Sequence, residues 1–312
     1  MDQKDVIVLN SHGVGQYAYT DHMPKWGETL SVKNWYVAED GGKGTNVAVA
    51  LGRLGIRTAY IGKVGMDPWG DLGEKWLKEA GVDATYMYRT DEVSTGTGLI
   101  LIGPDGQNTI IDGDSSSVAL KKEEVIDALD AMKGSRYFVT GFEVPMQIAL
   151  AGAKHAKALG MLTALNPSPL PEEPMDKLDY IDYLFINEIE GKYICNEPED
   201  TELDARRLME KVREIYGVAN VIMTMGGDGS AALCGEEYWT VAPVHVEKVV
   251  NTAGAGDGFM AAVTANLVWG KSLYEAMDWA SKYAGLSVTI NGTIPAYRPL
   301  EEVNAFIEKY KS

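Results

Sequence analysis

The chain predicts an α/β fold, a mainly parallel sheet with helices on both faces, plus a small β-sheet lid. Two observations carry this. From Lys121 onward, segments with helical apolar spacing alternate with short apolar runs, the rhythm of a parallel sheet covered on both sides. Before that point, two patches rich in Thr, Tyr and Val, around residues 17–37 and 97–111, break the rhythm. They read as a separate small sheet, so the expectation is one domain over residues 1–312 with lid segments at about 12–38 and 95–112. A length of 312 residues suits one large domain.

In chain order, residues 5–10 (DVIVLN) form a buried strand. Residues 17–20 and 29–37 alternate as hairpin or meander material, with Pro24 and Gly27 between them. Val47, Ala50, Leu51 and Leu54 give residues 46–54 a helical face. A strand follows at 57–64 and a helix at 69–80, ended by Gly81. Residues 97–102 and 108–111 flank the turn signal Gly103-Pro104-Asp105-Gly106. Helices are then expected at about 122–132, 147–159, 201–216, 258–269 and 273–290, with strands at about 136–140, 161–165, 183–186, 219–224 and 230–234.

Composition narrows the function. The net charge of -17 repels nucleic acid and anionic membranes, so neither is an expected partner. Cys195 and Cys234 lack metal or redox spacing, and four histidines form no HExxH pattern. No signal peptide and no membrane-length apolar run is read, which points to a cytoplasmic protein. Any phosphate site must then be built locally from amides, lysines and metal ions.

Such a site is suggested by Asn251-Thr252-Ala253-Gly254-Ala255-Gly256-Asp257-Gly258, which leads into an apolar helix. Amides at a helix start lack intrahelical partners and attract anions. Asp257 beside a bound phosphate can take a proton from a substrate hydroxyl, so phosphoryl transfer is the expected chemistry. The rival reading is a glycine turn that merely caps a helix. In Gly41-Gly42-Lys43-Gly44-Thr45-Asn46, glycines again precede a helix, and Asn46 either caps it or binds a hydroxyl. Asn187 and Glu190, three apart at a helix start after a strand, can hold hydrated Mg²⁺ or simply cap the helix. Thr224-Met225-Gly226-Gly227-Asp228-Gly229 offers amides and room for a flat base, or a plain turn. Gly13-Val14-Gly15-Gln16-Tyr17-Ala18 matches a dinucleotide fingerprint, with Glu39 and Asp40 further on, but Pro24 and the lack of an apolar helical face argue against the required helix.

Together these motifs, with Gly65-Met66-Asp67-Pro68-Trp69-Gly70, Pro24-Lys25-Trp26-Gly27-Glu28-Thr29 and Leu165-Asn166-Pro167-Ser168-Pro169, resemble the ribokinase-like (PfkB) family of carbohydrate kinases over essentially the whole chain. The resemblance implies an ATP- and Mg²⁺-dependent kinase of a sugar or sugar-like hydroxyl. It makes Asp257 the catalytic base and the amides of Ala253, Gly254, Ala255 and Gly256 the anion hole. Asn187 and Glu190 would organise Mg²⁺ and phosphates; Thr224, Gly226, Gly227 and Gly229 would line the nucleotide pocket. Gly42, Lys43, Asn46 and Glu143 would hold the substrate, and the lid would close over it and form a homodimer.

Two departures refine this. The family usually has aspartate, part of a monovalent-cation site, where this chain has Asn251, and Ala296 stands where the family offers a hydroxyl; weak or absent activation by potassium is expected. Gly13 and Gly15 stand where the family grips sugar hydroxyls, which argues against ribose and leaves His12, Gln16 or Asp112 as replacement contacts. Rival readings are a nucleoside or cyclitol kinase of the same family, a non-catalytic ligand-binding descendant, and a NAD-dependent dehydrogenase.

Overall fold

Alternation along β1 (Val6–Leu9) sends Val6 and Val8 to one face and Ile7 and Leu9 to the other, and all four are at most 1 % exposed. A strand buried on both faces belongs at the centre of a sheet between two helical layers. The computed structural model describes residues 3–37, 39–104, 108–198 and 200–309. After β1 come β2 (Gly13–Tyr19), β3 (Lys33–Val37), α1 (Gly42–Arg53), β4 (Thr58–Gly65), α2 (Pro68–Glu79), β5 (Asp83–Thr90), β6 (Gly96–Ile102) and β7 (Asn108–Asp112). The chain continues through α3 (Lys122–Ala131), β8 (Tyr137–Gly141), α4 (Met146–Ala158), β9 (Leu162–Asn166), β10 (Tyr183–Asn187), α5 (Glu188–Ile194), α6 (Ala205–Tyr216) and β11 (Asn220–Thr224). It ends with β12 (Ser230–Cys234), β13 (Glu237–Val241), α7 (Ala255–Val268), α8 (Leu273–Ser287), α9 (Thr293–Ala296) and α10 (Leu300–Glu308).

The main sheet has the order β13-β12-β11-β10-β9-β8-β1-β4-β5. Strands from β11 through β1 to β5 are parallel. The chain builds β4 and β5 on one side of β1, then returns to build β8 to β11 on the other. Helices α1, α2, α7, α8 and α10 pack on the face that holds Val6 and Val8, and α3 to α6 on the opposite face. The parallel rhythm fails at β12 and β13, which pair antiparallel. The few residues between β11 and β12 cannot hold a crossover helix, so the chain turns back as a hairpin.

Four described strands form the second sheet, in the order β3-β2-β6-β7. The fingerprint-like Gly13–Ala18 stretch is therefore strand, with no helix after it for a dinucleotide, and the dehydrogenase reading loses its support. Asp67 ties this sheet to the main body. Its Oδ1 caps α2 through the amides of Trp69 (3.0 Å) and Gly70 (2.9 Å). Its Oδ2 accepts from the amide of Thr95 (2.8 Å), just before β6. Of the expected turn at 103–106, Asp105 and Gly106 lie outside the described residues.

Several boundaries differ from the sequence expectation. Helix α1 starts at Gly42, so Asn46 lies inside it and Gly41 is the cap. Helix α7 starts at Ala255 and contains Asp257 in its first turn. Helix α6 starts four residues later than expected, after the Asp204 cap, and α8 stops at Ser287. Strands β5 and β13 and helices α9 and α10 were not expected. Among the described residues, no helix is long and apolar enough to cross a membrane.

Candidate active site

The carboxyl ends of the parallel strands deliver polar groups to one edge of the sheet. Ser11 follows β1, Glu143 follows β8, Asn166 ends β9, Asn187 ends β10 and Thr224 ends β11. Because the chain reverses direction across β1 and β8, the connections diverge there and leave a crevice. The first turns of α1 and α7 close it. A cavity of about 230 Å³ results, lined by Lys43, Asn166, Asn187, Glu190, Gly256 and Asp257 among others.

Gly254 sets the start of α7. It is the N-cap, with φ of 70°, and a Cβ there would lie 2.4 Å from Tyr297 Oη and 2.7 Å from Thr293 Cγ2. Only glycine meets both demands. Of the four amides expected to form an anion hole, Ala253 donates to Asn251 Oδ1 (2.9 Å) and Ala255 to Thr252 O (3.2 Å). Among the described residues the amides of Gly254 and Gly256 have no hydrogen bond, and both residues line the cavity.

Asp257 projects from the same turn, its side chain 12 % exposed. Burial pushes its carboxyl above the usual carboxylate range, against the pull of Lys43 and a hydrogen bond from Asn46. Lys43 Nζ lies 3.8 Å from Asp257 Oδ1. Asn46 donates through Nδ2 to Asp257 Oδ2 (3.0 Å) and to Asp40 Oδ1 (3.3 Å). Its Oδ1 accepts from Gly41 N (3.2 Å) and Thr293 Oγ1 (2.7 Å). All four hydrogen-bonding positions of this amide are spent on protein. Asn46 thus orients Asp257 rather than offering a free group to a substrate.

Glu143 Oε2 accepts from Ser11 Oγ (2.5 Å) and from the Lys43 amide (2.8 Å), which satisfies an open donor at the start of α1. Burial raises the Glu143 carboxyl, with Lys43 opposing. Gly42 adopts φ of 68°, and a Cβ there would lie 3.0 Å from Gly13 N. Gly13 and Gly15 pair with Gly96 and Gly98 across β2 and β6. Asp112, at the end of β7, sits opposite Gly98 and is exposed. His12 is fully buried, with Nδ1 at 2.9 Å from Thr45 Oγ1 and Nε2 at 3.1 Å from Trp69 O, so it is a packing residue and not a substrate contact.

Asn187 and Glu190 cap α5 reciprocally: Glu190 N donates to Asn187 Oδ1 (2.8 Å) and Asn187 N to Glu190 Oε2 (2.9 Å). Asn166 Nδ2 gives Glu190 Oε2 a second hydrogen bond, at 3.2 Å. Glu190 lines the cavity, and its Oε1 has no hydrogen-bond partner among the described residues. Among the described residues no three His, Cys, Asp or Glu side chains gather around one point to hold a metal.

Beyond Gly256 and Phe259 the crevice opens into a second cavity of about 430 Å³. Thr224, Gly226, Gly227 and Gly229 form one side, and apolar groups such as Val244, Val246 and Val288 line another. The Ser230 hydroxyl, buried at its edge, has no partner among the described residues. A polar cavity next to an apolar slot suits a phosphate chain next to a planar base.

Asn251 lies just before α7. Its Nδ2 donates to Asn291 Oδ1 (3.1 Å), and Asn291 Nδ2 reaches Tyr36 Oη of the second sheet (3.4 Å). The single Asn251 carbonyl oxygen is already held by Ala253 N.

The model of the pfkB family carbohydrate kinases matches residues 18–299. The chain belongs to this family. The kinase is 31 % identical over 300 residues to a ribokinase of Staphylococcus aureus (strain COL), covering 96 % of this chain and 98 % of that one. It is 30 % identical to a deoxyribokinase of Salmonella typhi over 308 residues, covering 97 % and 98 %. Its fold superposes on an Arabidopsis thaliana ribokinase complexed with ribose and ATP at a TM-score of 0.85, with 27 % identity and coverage of 98 % and 99 %.

Sequence reasoning missed Ser11, Asp40 and Thr293 as members of the kinase site. Thr293 carried a signal, since it lies in the loop singled out for Ala296. Ser11 carried only its position at a strand end.

Proposed function

We propose that the kinase transfers the terminal phosphoryl group of ATP to one hydroxyl of a sugar or sugar-like small molecule. The observation that carries this reading is the place of Asp257. It stands between the substrate-side groups Lys43 and Glu143 and the open amides of Gly254 and Gly256. An acceptor hydroxyl at Asp257 gives up its proton to that carboxylate as its oxygen attacks the terminal phosphorus, and the bond from that phosphorus to the bridging oxygen breaks with ADP as the leaving group. Charge developing on the transferred group falls on the amides at the start of α7 and on Lys43. Burial raises the carboxyl toward the pH at which a base both accepts and keeps a proton.

ATP fits the paired cavities, with its phosphates toward Glu190 and Gly256 and its base in the slot beside Gly227 and Val288. Mg²⁺ would supply charge neutralisation at the phosphates. Glu190, through its uncommitted Oε1, and Asn187 are the residues that would hold it, by way of water. A monovalent cation does not fit the residues present. Asn251 is uncharged, its oxygen accepts from Ala253 and its amide nitrogen faces Asn291, so it offers no anionic ligand there. The second sheet acts as the lid, and the exposed Trp35 and Ile111 of its strands, with Met23 and Trp26 of the β2–β3 connection, support pairing of two copies through it.

The test is Asp257→Asn. Removal of the base lowers kcat by roughly 10²–10⁴-fold while ATP affinity, read by calorimetry, stays. Turnover within tenfold of wild type would reject this assignment. Loss of nucleotide binding in a folded variant would reject the separation of roles.

A further inference from the structure

Gly13 and Gly15 leave one face of the start of β2 without side chains, and the space beside Gly15 is met from a different loop. A Cβ on Gly15 would lie 3.5 Å from Asp40 Cβ, 3.2 Å from Ile100 Cδ1 and 3.3 Å from Tyr17 Cε2. Asp40 is held firmly by one oxygen. Oδ1 accepts from Gly42 N (3.2 Å) and Asn46 Nδ2 (3.3 Å) and lies 3.2 Å from Thr293 Oγ1, whose one hydrogen goes to Asn46 Oδ1. Oδ2 makes no hydrogen bond or ion pair among the described residues. The same Asn46 nitrogen binds Asp257, so one nitrogen separates the two carboxylates.

We propose that Asp40 is a specificity-determining residue whose Oδ2 accepts a hydrogen bond from a second hydroxyl, or from an ammonium group, of the acceptor whose first hydroxyl is held at Asp257. The inference rests on the phosphotransfer reading above. An ionised carboxylate only accepts, so the group it selects must donate. Asp40 is fixed by two donors, Gly42 N and Asn46 Nδ2, before any ligand arrives, so little ordering cost falls on binding. The surrounding charge restricts the class further. The Lys43 ammonium is attracted by Asp257, Glu143, Glu190 and Asp40 together, four carboxylates around one cation among the described residues. An acceptor that brings its own phosphate adds to an excess of negative charge. The acceptor class is therefore a neutral or amino-substituted polyol with a second donor close to the reacting hydroxyl.

Steady-state ADP release with D-ribose, D-fructose, D-glucosamine and D-fructose 6-phosphate tests this, with wild type, Asp40→Asn and Gly15→Ala. Wild type should turn over at least one neutral or amino acceptor and leave fructose 6-phosphate unused. Asp40→Asn should raise the KM of that acceptor about tenfold or more, with a smaller fall in kcat and the KM for ATP within about twofold. Gly15→Ala places a methyl against Asp40 on ordinary strand backbone and should raise the acceptor KM in the same direction; if Asp40→Asn does not fold, this variant decides. An unchanged acceptor KM with a lowered kcat would show that Asp40 acts only through Asn46 and would overturn the assignment while the kinase reading stands. Use of fructose 6-phosphate as readily as fructose overturns the charge argument. Absence of ADP release from wild type with every acceptor rejects the phosphotransfer reading itself, and the role of Asp40 falls with it.

Discussion

Asn46 Nδ2 stands 3.0 Å from Asp257 Oδ2 and joins two residues 211 positions apart. The N-terminal part of α1 thereby holds the carboxylate at the first turn of α7. Two helix starts, each rich in glycine, are locked in register by one side-chain amide, and Thr293 fixes that amide from a third segment.

Asn46→Ala removes the hydrogen bond that favours the ionised form of Asp257. The base works only when ionised, and burial already raises its carboxyl. Losing Asn46 raises it further, so the acid limb of kcat/KM moves to higher pH. Lys43→Met moves it the same way, since Lys43 is the largest opposing influence. The loss in kcat for Asn46→Ala should be roughly tenfold to a hundredfold, in line with a lost charge-assisted hydrogen bond. A pH–rate profile whose acid limb stays in place would show that Asn46 does not tune the base.

Gly254→Ala tests the geometry of the anion site. The new methyl meets Tyr297 Oη at 2.4 Å in a left-handed conformation. The expected cost is about 2 kcal/mol or more, from backbone strain and overpacking together, and kcat should fall as the amides shift. Tyr297→Phe removes the hydroxyl that donates to Gly254 O at 2.9 Å. It should recover part of the stability when combined with Gly254→Ala, as read by a double-mutant cycle in urea. Strict additivity would place the strain elsewhere.

The alternation of helix and strand after Lys121 was legible because each segment is long and periodic. Strand β5 was not read, although Asp83–Thr90 alternates; as an edge strand it is half-exposed and lacks the apolar run of its neighbours. Helix α10 carried a proline at its cap and Leu300, Val303 and Ile307 at helical spacing, so its signal was present and overlooked. Asp257 was legible from the glycines around it. Its partners were not, because contacts between distant segments leave no mark at short range. Asn46 looked like a cap or a ligand, and only the fold shows every hydrogen-bonding position consumed. Asp40 stood out in the sequence solely as a dinucleotide acid, a role that ended when β2 proved to be strand.

The bridge from Asn251 to Asn291 predicts indifference to potassium. Turnover at constant ionic strength should change by less than about twofold when K⁺ replaces a bulky organic cation, since neutral amides already joined to each other offer no charge to a monovalent ion. Asn251→Asp restores an anionic oxygen at the same place and should make turnover rise with K⁺. A steep potassium response in the wild type would overturn this account of Asn251.

His12 predicts an acid-sensitive fold. Its ring is buried between the start of α1 and α2, where a Cβ on Gly73 would already lie 2.5 Å from Nε2. Burial pushes its pKa down from 6.5 to about 4. Nε2 faces the carbonyl of Trp69, and Nδ1 faces both the carbonyl of Gly41 (3.1 Å) and the Thr45 hydroxyl, so the neutral ring donates to one carbonyl and can accept from Thr45 only when its proton is on Nε2. The sign follows from proton counts. Below pH 6.5 the unfolded chain binds a proton that the folded ring refuses, so stability falls with pH until about pH 4, where the folded ring also protonates. Between pH 7 and pH 5 this group alone removes about 2 kcal/mol. Glu143 and Asp257, whose carboxyls are raised, act in the opposite sense and are present in any variant of His12. The comparison that isolates the ring is therefore urea unfolding of wild type and His12→Gln at both pH values. Wild type should lose about 2 kcal/mol more than the variant over that range. Equal losses would mean that the imidazole titrates near its ordinary value and is reached by water.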